Sequence, residues 1–322
     1  MDVFFYEAFE EEAEKIKQHL PENITAGFTW KTIQEYGEKE PPAGLVSIRT
    51  QSQIPEEWAD KIEGILSRST GYDHLKKYEK QAGKVLPMGY LPLYCHRAVA
   101  EHAFMLMLAL MRKLPRQISN FDTFHRDGIT GMELQNKNLL VVGVGNIGSQ
   151  VVEIGHAMGM TVLPVDIDHK FPDLKYVTIE EGLEQADIIV CAMNLTDENE
   201  GYFNYEVLKK AKPGAVFINI SRGELSVSED LLKLLEEGHL GAVGMDVYEE
   251  EKELAVSLRS STHSNNPKVA SIKKMKAFDN VIFTPHNAFN SAEGVERKSG
   301  QSVQQTVQFL EKKEFIWGVP EG

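Results

Sequence analysis

From Asn138 to Tyr248 the chain alternates short, unbroken apolar runs with segments of helical spacing, and no other feature constrains its fold as strongly. The runs LLVVGVG, MTVLPVD, ADIIVCAM, GAVFINIS and GAVGMDVY lack polar alternation, as strands covered on both faces require. Between them lie the segment from Asn146 to Met160, then TIEEGLEQ, NYEVLKKA and SVSEDLLKLLEEG, which read as helices. DNVIFTPH supplies one more strand. This succession predicts an α/β fold with a doubly wound parallel sheet.

The first hundred residues predict a second, smaller parallel-sheet domain. MDVFFYEA and AGLVSIRT read as strands, EEEAEKIKQHL and PEEWADKIEGIL as helices. Near Ala98 the character changes. AVAEHAFMLMLALMRKLPRQISNF reads as one long helix, apolar all round and expected to be buried between units. Glu249 to Ala277 is polar and poorly periodic, and reads as an elaborated loop or partial helix. After His286, SAEGVERKSGQSVQQTVQFLEKK predicts a helix returning to the first domain. A chain of 322 residues is expected to divide in two. The expected division is 1–101 with 288–322, and 102–287.

A net charge of -14 speaks against a nucleic-acid partner, since phosphate binding needs a basic face. An anionic substrate would then need locally placed cations. The two cysteines, Cys95 and Cys191, make neither a disulfide framework nor a metal site by themselves, and Cys191 reads as a core residue. The start has no basic leader, and the longest apolar stretch, Ala103 to Met111, is too short to span a bilayer. A cytoplasmic protein without membrane partners is expected.

One turn has the context of a dinucleotide site. Gly143-Val-Gly145-Asn146-Ile147-Gly148 follows the strand LLVV and opens a helix, and Asp166 ends the next strand, with 17 residues between Gly148 and it. The first glycine permits the turn, the second admits a pyrophosphate, and the third lets helix and strand pack. Helix N-terminal N–H groups then hold the phosphate charge. Asp166 suits two ribose hydroxyls and would repel a 2′-phosphate, which favours NAD over NADP, although His169 and Lys170 stand nearby. The alternative is a plain turn with Asp166 capping a strand.

Three residues further on have the chemistry of acid–base and carboxylate work. Arg222 follows the strand GAVFINIS; its fork geometry suits a carboxylate, unless it only pairs with Glu224 at the surface. Glu251 stands five residues beyond Asp246, and Glu249 and Glu250 are open alternatives to it. Asp246 ends the strand GAVGMDV, where it would touch the nicotinamide. His286 follows a strand and Pro285. It reads as a proton carrier if a carboxylate is near, and otherwise as a capping or core histidine.

The chain resembles the D-isomer-specific 2-hydroxyacid dehydrogenases along almost its whole length. The matching segments are SRSTGYDHL, LYCHRAVAEH, VVGVGNIGS, ADIIVCAMNLT, KPGAVFINISRGEL, GAVGMDVYEEE and FTPHNAF. The resemblance implies two Rossmann-like domains, the NAD domain inserted into a flavodoxin-like substrate domain. It implies that His286 is the general acid/base, Glu251 its carboxylate partner and Arg222 the binder of a 2-oxo acid. Thr70 and Gly71 match the backbone that holds the substrate carboxylate, and Tyr94 and Phe289 match pocket residues. Asn194 and Asp246 look like positions that meet the cofactor. Apart from the resemblance, the long apolar segment from Ala98 to Leu114 reads as a dimer arm, and a homodimer is expected.

Within the family the chain looks most like the D-lactate dehydrogenase branch, with a hydroxypyruvate or glyoxylate reductase as the alternative. Cys95, His96 and Arg97 depart from that branch's usual serine, proline and asparagine, which leaves the substrate side chain open. Arg97 reads as a helix-face residue before a second anion contact. Ile54 falls near another pocket position, where an aliphatic would leave room for groups larger than methyl. The competing class is a non-catalytic NAD-sensing protein resembling corepressors of this fold.

Overall fold

The computed structural model describes residues 1–260 and 264–320. The chain forms two compact units, Met1–Cys95 with Asn290–Gly322, and His96–Phe289. It passes from one to the other before His96, so the helix beginning there lies wholly in the second unit instead of being cut at residue 101.

In the first unit, β1 (Val3–Phe5), β2 (Ala26–Phe28), β3 (Leu45–Ile48), β4 (Gly64–Ser67) and β5 (Met88–Gly89) form one sheet in the order β2-β1-β3-β4-β5. All neighbours are parallel. The helix Ala292–Lys312 belongs to this unit and packs on the helix Glu10–His19. The helix expected over PEEWADKIEGIL is instead a single 3-10 turn, Glu56–Trp58, followed by β4. A turn and a short, wholly buried strand share the apolar spacing of a helix, so periodicity alone did not separate them.

In the second unit, β6 (Asn138–Val142), β7 (Thr161–Val165), β8 (Ile188–Cys191), β9 (Ala215–Asn219), β10 (Leu240–Met245) and β11 (Val281–Phe283) pair in the order β11-β10-β9-β8-β6-β7. Again every pair is parallel. Cys191 lies in the core, its thiol pushed up to about 12 by burial. Each sheet reverses its winding direction once, between β1 and β3 and between β6 and β8. At such points the loops leaving the carboxyl ends of the strands diverge and leave a crevice for ligands.

Two helical expectations are corrected. The long apolar segment is broken into His96–Met111 and Leu114–Asn120, with Lys113 in the left-handed region at φ 52°. Pro115 has no N–H for the Met111 carbonyl, which accepts from Met132 N at 2.8 Å instead. Nor is the first helix apolar-buried all round, since Met105 stands 48% exposed. The polar stretch after Glu249 contains two helices, Glu251–Arg259 and Pro267–Met275. Asn266 caps the second through Lys268 N, and Val269, Ile272 and Met275 enter the core, an apolar spacing too short to stand out in the sequence. No described helix is long and apolar enough to cross a membrane.

Candidate active site

The glycine turn lies at the point where β6 and β8 diverge. Gly143 has φ 93°, and a side chain on it would meet Met193 N at 2.6 Å, in the loop leaving β8. A Cβ on Gly148 would meet the Gly143 carbonyl oxygen at 1.9 Å. Both glycines are therefore fixed by packing. Gly145 is different: a Cβ there meets nothing within 4 Å. The fold leaves open space over Gly145, where Asn146 and Ile147 begin the helix Asn146–Ala157, and that space fits the pyrophosphate of a dinucleotide. Asp166, at the end of β7, accepts from Val144 N at 2.5 Å and Asp168 N at 3.0 Å. Its carboxylate thus braces the turn while staying partly exposed. Asn194 is exposed just past β8, and its carbonyl accepts from Asn199 Nδ2 at 2.8 Å.

The loops after β9, β10 and β11 bring the next residues together. Gly223 lies so close to the Tyr248–Glu249 backbone that a Cβ would fall 1.8 Å from the Tyr248 carbonyl carbon. Only glycine lets the Arg222 loop pack there. Arg222 is partly exposed, with Nη1 donating to the Ser221 carbonyl at 2.8 Å.

The three successive glutamates separate cleanly. Glu249 is buried, accepting from Ser228 N at 2.7 Å and pairing with Lys268 at 2.9 Å. Glu250 is exposed and left-handed at φ 51°, a turn that starts the next helix. Glu251 places both carboxylate oxygens 2.9 Å from His286 Nδ1. Each side chain of that pair is 21% exposed, so the imidazole is held from behind yet reachable.

Asp246 is 1% exposed. Its Oδ1 accepts from the Thr284 hydroxyl at 2.6 Å and Asn287 N at 2.8 Å, and its Oδ2 from Ala288 N at 2.8 Å. This geometry makes Asp246 an anchor for the loop that carries His286. His286 itself takes a left-handed φ of 51° inside that loop. Behind it, His102 Nε2 lies 2.9 Å from the Thr284 hydroxyl and 3.6 Å from Asp246 Oδ1. Burial lowers the His102 pKa, against the opposing pull of Asp246. Phe289, just past this loop, is buried.

In the first unit, Thr70 and Gly71 follow β4 in a loop fixed at several points. The Thr70 hydroxyl stands 3.2 Å from Cys95 Sγ, the Ser69 hydroxyl donates to the Gly71 carbonyl at 2.7 Å, and Ser67 and Ser69 hydroxyls are 2.6 Å apart. Beneath the loop, Arg68 is wholly buried. It donates to Glu12 Oε1 at 2.9 Å, the Ser47 hydroxyl at 3.0 Å and the Tyr6 carbonyl at 2.6 Å. Lys298 joins the same Glu12 oxygen at 2.7 Å. Tyr94 is buried, its hydroxyl raised well above the ordinary range by burial and by Cys95, with Arg49 pulling it back. Ile54 packs in the core with Trp58 and Tyr78. Arg97 pairs with Glu101 at 2.7 Å, one helical turn on, as a helix-face residue does.

The anchors His102, Thr284, Arg68, Glu12 and Lys298 were not foreseen. Their sequence trace is that His102, Arg68 and Thr284 sit inside the motif segments LYCHRAVAEH, SRSTGYDHL and FTPHNAF, while Glu12 and Lys298 lie outside them.

Residues 104–288 match the family described as D-isomer specific 2-hydroxyacid dehydrogenase, NAD binding domain. The D-lactate dehydrogenase of Escherichia coli is 32% identical over 264 residues, 79% of this chain and 77% of that protein. An aromatic 2-oxoacid reductase of Clostridium sporogenes is 32% identical over 211 residues, 64% of this chain and 63% of its own. The D-lactate dehydrogenase of Aquifex aeolicus, solved with NAD and lactic acid, superposes with a TM-score of 0.85 at 27% identity, covering 99% of this chain and 100% of that one.

Proposed function

Because the chain belongs to the D-isomer-specific 2-hydroxyacid dehydrogenase family, an NAD-dependent family of oxidoreductases, we propose that His286, Glu251 and Arg222 reduce a small 2-oxo acid to its D-2-hydroxy acid, reversibly, as in the D-lactate dehydrogenase branch. The observation that carries this reading is the Glu251 carboxylate held on His286 Nδ1 at 2.9 Å. A carboxylate only accepts, so Nδ1 carries the proton and Nε2 faces the reaction. His286 Nε2 donates its proton to the carbonyl oxygen in reduction and takes it back in oxidation. Arg222 clamps the carboxylate and polarises the carbonyl, while the Thr70–Gly71 backbone holds the same carboxylate and Tyr94 and Phe289 bound the side chain. When bound, NAD would supply or accept the hydride at C2; the Gly143–Gly148 turn would hold its pyrophosphate, Asp166 its ribose, and Asn194 and Asp246 would stand near its nicotinamide.

The deciding experiment is NADH oxidation against pyruvate, glyoxylate, hydroxypyruvate, phenylpyruvate, branched 2-oxo acids and dicarboxylic 2-oxo acids. Turnover of at least one is expected, and inactivity on all of them sinks the enzymatic reading. A His286→Ala variant with normal turnover sinks the mechanism.

The proposal includes a homodimer in a reducing, cytoplasmic setting. Met105, Leu108, Leu114, Ile118, Phe121 and Phe124 are exposed along consecutive helices, an apolar surface of the kind a second copy covers. Both cysteines are buried and unbridged. A monomeric mass by sedimentation would remove the dimer.

A further inference from the structure

The Thr70–Gly71 loop is held by a chain of hydrogen bonds whose far end, His74, has no part in the reaction just described. His74 lies in the first turn of the helix Asp73–Ala82, directly after the loop. Its Nε2 stands 2.9 Å from the hydroxyl of Ser67, the last residue of β4, and that hydroxyl stands 2.6 Å from the Ser69 hydroxyl. Ser69 in turn donates to the Gly71 carbonyl at 2.7 Å. Both serines are buried, so water does not compete for these bonds.

Donor counting gives the chain one direction. A carbonyl only accepts, so the single hydroxyl proton of Ser69 is spent on Gly71. Ser69 Oγ therefore accepts from Ser67, whose own proton is then spent as well. Ser67 Oγ is left to accept from His74, so Nε2 carries a proton, in the neutral ring as in the charged one. A hydroxyl that accepts becomes a better donor, so the relay strengthens its last bond, the one onto Gly71.

The relay ends beside the groups that would meet the substrate. The peptide units on either side of the Thr70–Gly71 bond are each held by their carbonyl oxygen. That of Ser69 accepts from Leu91 N at 3.0 Å, and that of Gly71 from the Ser69 hydroxyl. The peptides are trans, so each N–H points away from its own carbonyl. Holding the two carbonyls sets the directions of Thr70 N–H and Tyr72 N–H, and Gly71 N–H is bracketed between them.

We propose that His74 is a positioning residue for substrate binding: through Ser67 and Ser69 it fixes the Gly71 carbonyl and so aims the loop's N–H groups at the carboxylate of the 2-oxo acid. This rests on the reading that the Thr70–Gly71 backbone binds that carboxylate. Every 2-oxo acid carries the same carboxylate, so the effect is independent of the substrate's side chain.

The test is steady-state kinetics with NADH on each of pyruvate, glyoxylate, hydroxypyruvate and phenylpyruvate that the wild-type protein reduces. His74→Leu keeps the bulk and removes the donor. It is expected to raise KM by about tenfold or more on every such acid, with kcat within about threefold, the signature of lost binding common to ground and transition states. NADH affinity, followed by fluorescence, should stay within about twofold. His74→Gln, which returns an N–H near the place of Nε2, should bring KM back to within about threefold of wild type. Ser69→Ala cuts the last bond and should raise KM as His74→Leu does, and the double variant should be no worse than either single one, since the bonds act in series.

Unchanged KM in His74→Leu overturns the proposal, as does a His74→Gln protein no better than His74→Leu. A rise on one acid alone marks a contact with the side chain, and joint losses of kcat and NADH affinity mark general loosening; either result also overturns it. If His74→Leu does not fold, unchanged KM in the smaller change Ser69→Ala overturns it in the same way. Inactivity of the wild-type protein on every 2-oxo acid removes the dehydrogenase reading and this proposal with it, whereas unchanged KM in the variants leaves that reading standing.

Discussion

Glu251 presents both carboxylate oxygens to His286 Nδ1 at the same distance, 2.9 Å. This symmetric contact fixes the imidazole's orientation and leaves only Nε2 for proton transfer. Replacing the carboxylate with an amide keeps the shape but lets the side chain donate as well as accept, so the tautomer is no longer enforced. Glu251→Gln is expected to lower kcat for 2-oxo acid reduction by about 10- to 100-fold, and His286→Ala by about 100- to 10,000-fold, the range of general acid–base catalysis. NADH binding, followed by fluorescence, should stay within about twofold in both. A Glu251→Gln variant with unchanged kcat would mean that the contact is ornamental.

The glycine turn separates packing from binding. Gly148→Ala drives a methyl group to 1.9 Å from the Gly143 carbonyl oxygen, so this variant should fold poorly or lose at least about 3 kcal/mol of stability. Gly145→Ala meets no protein atom within 4 Å and should keep its melting temperature within a few degrees. Its affinity for NADH should still fall tenfold or more, because the added methyl occupies the space meant for the pyrophosphate. Equal NADH affinities in wild type and Gly145→Ala would place the pyrophosphate elsewhere.

Asp246 works through the backbone of the His286 loop. Asp246→Ala strands Asn287 N and Ala288 N and the Thr284 hydroxyl, with an expected loss of about 3 kcal/mol. A looser loop should also cost kcat more than KM. His102 adds a pH signature. The folded pKa is lowered, chiefly by burial, while the unfolded chain takes up its proton near 6.5. The unfolded state then binds more protons just below pH 6.5, so stability is full above that pH and falls as pH drops through it. His102→Gln should flatten this part of the melting-temperature profile, and an unaltered slope would assign it to other groups.

How far the sequence could be read depended on whether the signal was local. The strands of the second unit were legible because β6, β8 and β9 are unbroken apolar runs. The first unit was harder, since β2 and β5 are three and two residues long and carry no periodicity. Glu249, Glu250 and Glu251 are indistinguishable as letters. They part only through Ser228 N, Lys268 and the left-handed turn at Glu250.

The Glu12–Arg68–Lys298 cluster left no local trace at all, as its members are far apart in sequence and fully buried. Burial alone would raise the Glu12 carboxyl; Arg68, Lys298 and Arg49 outweigh it and hold it down at about 2. The unfolded chain takes up this proton near 4.5. The cluster's contribution is therefore fully present above pH 4.5 and is lost as pH falls toward 2. Glu12→Gln should remove that acid-sensitive limb and cost about 3 to 5 kcal/mol at neutral pH, since the buried Arg68 loses its counter-charge. Because Arg68 also fixes the Tyr6 carbonyl and precedes the Thr70–Gly71 loop, any folded Glu12→Gln protein should show a raised KM for the 2-oxo acid with NADH affinity intact. Acid unfolding curves that superpose for wild type and Glu12→Gln between pH 4.5 and 2 would show that other carboxylates set the acid limit.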